Sequence, residues 1–170
     1  MTAKEKQQYF LTLYEPNHTK LLRYCESILK DSVEAQDVVS DTVLLAYEQL
    51  DKLKKEASFV YFLFGIARNL IRRLQRRKKF WGFFLEEQAN QLPAPTAKPL
   101  NEDVQLLYQA LDHLPAAQKE ALILFELSGY SLKETAQIQG CSLSAVKARV
   151  TRGRQRLSKI LSPNSLLAYE

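Results

Sequence analysis

A chain of 170 residues, 46% of them apolar, has room for one ordinary domain or two small ones and enough apolar mass to build cores in water. Lys and Arg number 24 against 19 Asp and Glu, and the resulting formal charge of +5 favours polyanionic partners, nucleic acid first among them. No apolar run approaches the ~20 residues a membrane-spanning helix needs, and MTAKEKQQYF lacks the apolar stretch of a secretory signal, so no membrane insertion is expected and the expected compartment is the cytoplasm.

Glycines number only five, apolar positions recur at three and four, and strand-like alternation is missing, which predicts an all-α chain. Residues 86–103, EEQANQLPAPTAKPLNED, hold Pro93, Pro95 and Pro99 among polar residues and predict a flexible linker. As a coil the linker would span ~25 Å, and fully stretched ~60 Å. Two small helical domains, 1–85 and 104–170, are therefore expected to be tethered and not fused.

In the first domain, Asp31 with Glu34 forms an Asp-x-x-Glu helix start. Ala35, Val39, Val43, Ala46 and Leu50 then recur as a buried seam, while Glu34, Asp37, Asp41 and Glu48 share another face. Six acids and no cation lie between Asp31 and Asp51. The polar segment 51–58, with Lys52, Lys54 and Lys55, predicts a connecting loop held at both ends, a common place for recognition. Beyond it, Phe59, Phe62, Leu63, Ile66, Leu70 and Leu74 predict the apolar stripe of a second helix, with Arg68, Arg72 and Arg76 as a basic rail outside.

Eight of the seventeen aromatic residues fall within 59–84 and surround this rail. Stacking on aromatics adds ~1–3 kcal/mol per base, so the mixture suits opened DNA. Tyr61 and Phe64 lie off the predicted stripe and are the stacking candidates. The run Phe80-Trp81-Gly82-Phe83-Phe84 is too apolar for a solvated tail and is expected to pack on its own domain or on a partner.

In the second domain, Leu114-Pro115 predicts a helix start and Gly129 its end. Ser131 and Glu134 form a capping box for a helix carrying Leu132, Thr135, Ala136 and Ile138, which stops at Gly140. Ser142 caps a third helix with Leu143, Val146, Val150 and Leu157 inside. Helix, glycine turn and helix make a helix-turn-helix pattern. The opposite face of the third helix carries Ser144, Ala145, Lys147, Ala148, Thr151 and Arg152, small and basic residues able to enter a major groove.

Catalysis is not expected. No phosphate-cradling glycine loop, nucleophile elbow or metalloprotease motif is present. The acids of the first domain lack the Glu-x-x-His partners of a helical metal site, and only His18 and His113 exist, so neither metal nor cofactor is expected. Cys25 and Cys141 stand far apart without Cys-x-x-Cys company and read as reduced core thiols.

Taken together, these segments resemble a bacterial RNA polymerase sigma factor of the extracytoplasmic-function type, within the sigma-70 family, over residues 9–161. DSVEAQDVVSDTVLLAYEQLDKL is similar to the family helix that docks on the coiled coil of the polymerase beta-prime subunit. ASFVYFLFGIARNLIRRLQRRKK resembles the segment that melts and reads the −10 element, with Ile66 to Asn69 intact, and ALDHLPAAQKEALILFELSGYSLKETAQIQGCSLSAVKARVTRGRQRL resembles the −35-reading domain.

The resemblance implies a sigma-2-like domain over 1–85, a linker over 86–103 and a sigma-4-like helix-turn-helix domain over 104–170. It implies core polymerase binding by Glu34, Asp37, Val38, Asp41 and Glu48. The −10 element would fall to Lys54, Lys55, Ser58, Tyr61, Phe64, Arg68, Asn69, Arg72 and Arg76, and the −35 element to Ser144, Ala145, Lys147, Ala148, Thr151 and Arg152. The implied partners are core RNA polymerase, through the beta-prime coiled coil and the beta flap, and promoter DNA, with an anti-sigma protein as a possible further one; the free chain would be a monomer. The linker acids Glu86, Glu87, Glu102 and Asp103 would mimic RNA in the polymerase channel. Phe62 stands where the family usually has Trp, Ser144-Ala145 replaces a frequent Gly-Thr, and Lys147 replaces a frequent Arg. Because Lys cannot reproduce a bidentate Arg fork, the role carries over and the promoter sequence does not. The competing reading is a helix-turn-helix regulator that acts without joining polymerase.

Overall fold

The structure, a computed structural model, describes residues 1–85 and 101–162. It divides into two compact units, with the boundary after residue 97. The described residues hold seven α-helices and no strand.

The first unit packs three helices: α1 (Ala3–Leu29), α2 (Ser32–Glu48) and α3 (Phe59–Leu85). Helix α1 opens on a capping box in which Thr2 and Glu5 satisfy each other's backbone amides, and it runs through Pro16. Proline disturbs the preceding turn, and here the Asn17 side-chain amide donates to the Leu13 carbonyl at 2.9 Å. Helix α2 starts where the Asp-x-x-Glu signal predicts, with the Asp31 carboxylate accepting from the amides of Val33 and Glu34. Apolar faces of the three helices close the core. Phe10 of α1 meets Phe59 of α3 edge to face at 5.8 Å and Tyr47 of α2 at 5.6 Å.

Two sequence expectations need correction here. The buried face of α3 is Phe59, Leu63, Phe64, Ala67 and Ile71, and Phe62, Ile66, Leu70 and Leu74 are only half-buried. The stripe is thus rotated toward Phe64, whose fully buried ring packs against Tyr24 of α1 at 5.2 Å. On α2, Val38 and Thr42 join the buried seam and Val43 is half-buried. On α3 the shift has a visible cause, since Tyr24 of α1 packs on Phe64 and draws the inner face toward that helix. Between α2 and α3, residues 50–58 include two short 3₁₀ turns, Leu50–Lys52 and Glu56–Ser58. An ion pair of Lys6 with Asp51 at 2.9 Å anchors one end of this segment to α1.

The second unit holds α4 (Glu102–Asp112), α5 (Ala116–Leu122), α6 (Leu132–Gln139) and α7 (Leu143–Ile160). Asn101 caps α4 through the Asp103 amide, so the last residues of the predicted linker, Glu102 and Asp103, form the first helical turn. Residues 86–100, with Glu86 and Glu87, lie outside the described residues. Pro115 precedes α5, which widens into a π-helical turn over Ile123–Leu127, closed by the Ser128 amide donating to the Ile123 carbonyl at 2.8 Å. The capping box of Ser131 and Glu134 forms as expected, and Gly140 ends α6 at φ 64. That left-handed conformation suits a residue without Cβ.

Leu111, Leu114, Ala121, Leu122, Ala136, Val146 and Val150 make the core. Helix α7 crosses α5 closely because Gly153 lacks a side chain: a Cβ there would lie 2.8 Å from Cδ1 of Leu122. Leu143, expected inside, is 41% exposed, since it sits at the first position of α7 ahead of the packed turns.

Candidate nucleic-acid interface

On α2 the residues at 33, 37, 41, 44 and 48 fall on one face at steps of four and three. Asp37, Asp41 and Glu48 are exposed there, and Glu34 at its edge is half-buried. Val33 and Leu44 are exposed on the same face, at 66% and 56%. Sequence reasoning missed these two apolar positions, which stand outside the predicted seam of Ala35, Val39, Val43, Ala46 and Leu50. The face is acidic at its centre, with Val33 at one end and Leu44 between Asp41 and Glu48, a mixture that suits a docking surface. Val38, predicted as part of it, is 6% exposed and faces the core, so it cannot touch a partner.

The basic rail is exposed along most of its length. Arg72, Arg73, Arg76, Arg77, Lys78 and Lys79 all face solvent, with Asn69 exposed and Arg68 half-buried one turn earlier. Helix α3 contains no Asp or Glu over its whole length. Lys54 and Lys55 are exposed in the loop, and Ser58 and Tyr61 are half-buried at the helix start. Seven cations on one helix, with lysines leading into it, would hold a phosphate backbone strongly and lose it with added salt. Phe64 is excluded from base stacking by its complete burial. The acidic face and the rail meet through Lys78 and Glu34, whose charged atoms lie 2.5 Å apart, and Asp37 and Asp41 stay open to solvent.

In the second unit, Ser142 accepts a hydrogen bond from the Ala145 amide at 3.2 Å and fixes where α7 begins. Ser144, Lys147, Thr151 and Arg152 are exposed and Ala145 and Ala148 half-buried between them, so all six predicted residues share one accessible face. Two other cations of α7, Arg149 and Arg154, are engaged by side chains of their own unit. Arg149 Nη1 donates to Gln139 Oε1 at 2.9 Å and to Cys141 Sγ at 3.2 Å, and Gln139 Nε2 donates to the Ala117 carbonyl at 3.1 Å. Arg154 pairs with Glu126 and lies over the Phe125 ring. The angle of α7 to α6 and α5 is thereby set by side chains that do not face the groove-reading surface. Cys141, expected as a core thiol, is only half-buried at this turn, whereas Cys25 is fully buried.

A three-helix unit with an acidic face and a basic rail, followed by a helix-turn-helix unit with a small, cationic outer face, defines a two-part helical protein of the helix-turn-helix class. The pattern described as Sigma-70 region 2 matches residues 13–80, and that described as Sigma-70, region 4 matches residues 104–157. The chain is 34% identical over 146 residues to the ECF RNA polymerase sigma factor EcfG of Rhodopseudomonas palustris, covering 83% of this chain and 78% of that one. It is 28% identical to the ECF RNA polymerase sigma factor SigM of Mycobacterium tuberculosis, covering 89% and 76%. Among solved structures it resembles the sigma factor RpoE of Bartonella quintana in complex with the anti-sigma factor NepR, with a TM-score of 0.68, 28% identity and coverage of 94% and 98%. It also resembles CnrH in complex with the cytosolic domain of CnrY, at a TM-score of 0.68, 25% identity and coverage of 91% and 88%. The chain belongs to the ECF RNA polymerase sigma factors and is a polymerase-directing transcription initiation factor; a regulator acting apart from polymerase is not favoured.

Proposed function

We propose that this sigma factor divides its work among the three surfaces. The acidic face of α2, with Asp37 and Asp41 at its centre and Leu44 as its apolar anchor, docks on the beta-prime coiled coil of core polymerase. The second unit adds a contact to the beta flap. The observation that carries this reading is the separation of charge on one small unit: acids without cations along α2, cations without acids along α3. A surface of the first kind repels DNA and a surface of the second kind grips it.

Lys54, Lys55, Arg68, Asn69, Arg72 and Arg76 hold the opened non-template strand of the −10 element, with Ser58 and Tyr61 beside the first bases. Ser144, Ala145, Lys147, Ala148, Thr151 and Arg152 of α7 enter the major groove of the −35 element, where Ala and Thr methyls touch thymine and the cations reach guanine edges or phosphates. Polymerase performs the chemistry, so this subunit contributes recognition and strand capture without a catalytic residue of its own, with a flipped base as the specificity device. It acts in the cytoplasm; among the described residues no helix is long and apolar enough to cross a membrane. As with the relatives seen in complexes, an anti-sigma protein is a further partner.

The test is reconstitution with purified core polymerase and sequencing of the transcripts started. Asp37→Lys is expected to abolish core binding while the far-UV spectrum and Tm stay unchanged. Core binding by that variant at the parent level would overturn the assignment of the acidic face.

A further inference from the structure

Along α3 two rows run at a spacing of four. One is Arg68, Arg72, Arg76 and Phe80, and the other is Asn69, Arg73, Arg77 and Trp81. Each row of cations therefore ends in an aromatic residue. From Arg72 to Gly82 every residue except Leu74 is exposed, so this half of the helix is not held in the core of its own unit. Phe80 is 63% and Trp81 55% exposed, and their rings meet edge to face at 6.3 Å.

Two large aromatic side chains left in water mark a contact surface, because their burial would otherwise contribute stability. Their surroundings decide what fits. With no carboxylate on α3 and six cations between Arg72 and Lys79, the local field selects a polyanion. Fully paired DNA satisfies the cations but keeps its base faces stacked inside. Unpaired DNA satisfies both, because its phosphates meet the arginines and its bases present π-faces to the rings.

We propose that Phe80 and Trp81 form a stacking platform for unpaired DNA bases at the far end of the basic rail. It lengthens the single-strand footprint of the first unit past residue 80, where the match to Sigma-70 region 2 ends. The inference rests on the reading of the rail as a DNA-binding surface and adds a second kind of contact to it. Stacking tolerates any base, so the platform strengthens capture of the opened strand without choosing its sequence.

The experiment uses holoenzyme assembled from core polymerase and the full chain. The probes are a DNA duplex carrying a short mismatched bubble and the same duplex fully paired. Trp81→Ala and Phe80→Ala are each expected to weaken bubble binding about tenfold, the loss of roughly one stacked base, and to change paired-duplex binding less than about twofold. Trp81→Phe keeps a ring and should stay within about threefold of the parent. The double variant Arg72→Glu, Arg76→Glu tests the rail and should weaken both probes. If the alanine variants bind the bubble as the parent does while the rail variant fails, the platform is wrong and the rail stands. If the rail variant also binds normally, the DNA reading of α3 falls with it. Loss of core binding by Trp81→Ala, with α-helical content retained, would show that the rings touch polymerase and would equally overturn the platform.

Discussion

Lys78 of α3 reaches across 44 residues of sequence to Glu34 of α2, and the two charges sit 2.5 Å apart with side-chain exposures of 53% and 26%. The pair ties the start of the acidic face to the basic rail. Being open to solvent, it gains little against the entropy of holding two long side chains. A double-mutant cycle of Glu34→Gln and Lys78→Met should give a coupling below about 1 kcal/mol that shrinks as salt rises. Because Glu34 is already engaged, Glu34→Gln should weaken core polymerase binding less than Asp37→Asn does, as measured by co-purification at matched concentration.

Gly153 carries the closest crossing in the second unit. A Cβ there would stand 2.8 Å from Leu122 Cδ1 and 3.5 Å from Leu114 Cδ2, both in the core. Overpacking costs about 1–3 kcal/mol, and the gain in helix propensity from Gly to Ala offsets up to ~1 kcal/mol of it. Gly153→Ala should therefore lower stability by about 1–2 kcal/mol, read as a drop in urea midpoint. It should also weaken −35 duplex binding, since α7 must tilt to make room.

The two thiols should differ sharply in reactivity. Burial, with the neighbouring Glu26 charge adding to it, pushes the Cys25 thiol up to about 12, so it carries almost no thiolate even at mildly alkaline pH. Cys141 is half-buried at the helix-turn-helix turn, with the Arg149 guanidinium 3.2 Å from its sulfur. In the native protein one thiol, Cys141, should react with a maleimide, and the second should appear only as the chain unfolds. Mass spectrometry of the labelled peptides distinguishes them.

Lys147 and Arg152 lie on the accessible face of α7, whereas Arg149 and Arg154 are tied to their own unit. Alanine at Lys147 or Arg152 should weaken −35 duplex binding without lowering the Tm. Where the lost contact is to phosphate, the slope of log affinity against log salt should fall by about one. Arg149→Ala should instead lower the Tm and disturb α7, because Gln139 and Cys141 lose their shared donor. Tm and salt slope measured side by side separate the two groups.

Helix boundaries set by neighbouring residues could be read without coordinates. Asp31, Ser131 and Ser142 cap helices through amides only a few residues away, and Gly140 needs only its own backbone angle, so no distant partner is involved. Faces were harder. Phe64 looks outward by the spacing of its own helix and is buried because Tyr24 of α1 lies against it. Thr2 and Glu5 mark where α1 begins, but nothing near them in sequence says that Tyr24 of α1 meets Phe64 of α3. The aromatic run after the rail was recognisable as too apolar for solvent, but the exposure of Phe80 and Trp81 had to be seen.

Composition and charge order by themselves determined that the chain is helical, that it falls into two parts, and that one helix of the first part carries acids without cations and another cations without acids, because each of these can be read along the chain without knowing what packs on it. The packing of three helices decided which side chains remain outside to meet a partner. Burial depends on what arrives from the rest of the chain, and only the folded arrangement brings Tyr24 against Phe64, Leu122 against Gly153 and Lys78 against Glu34.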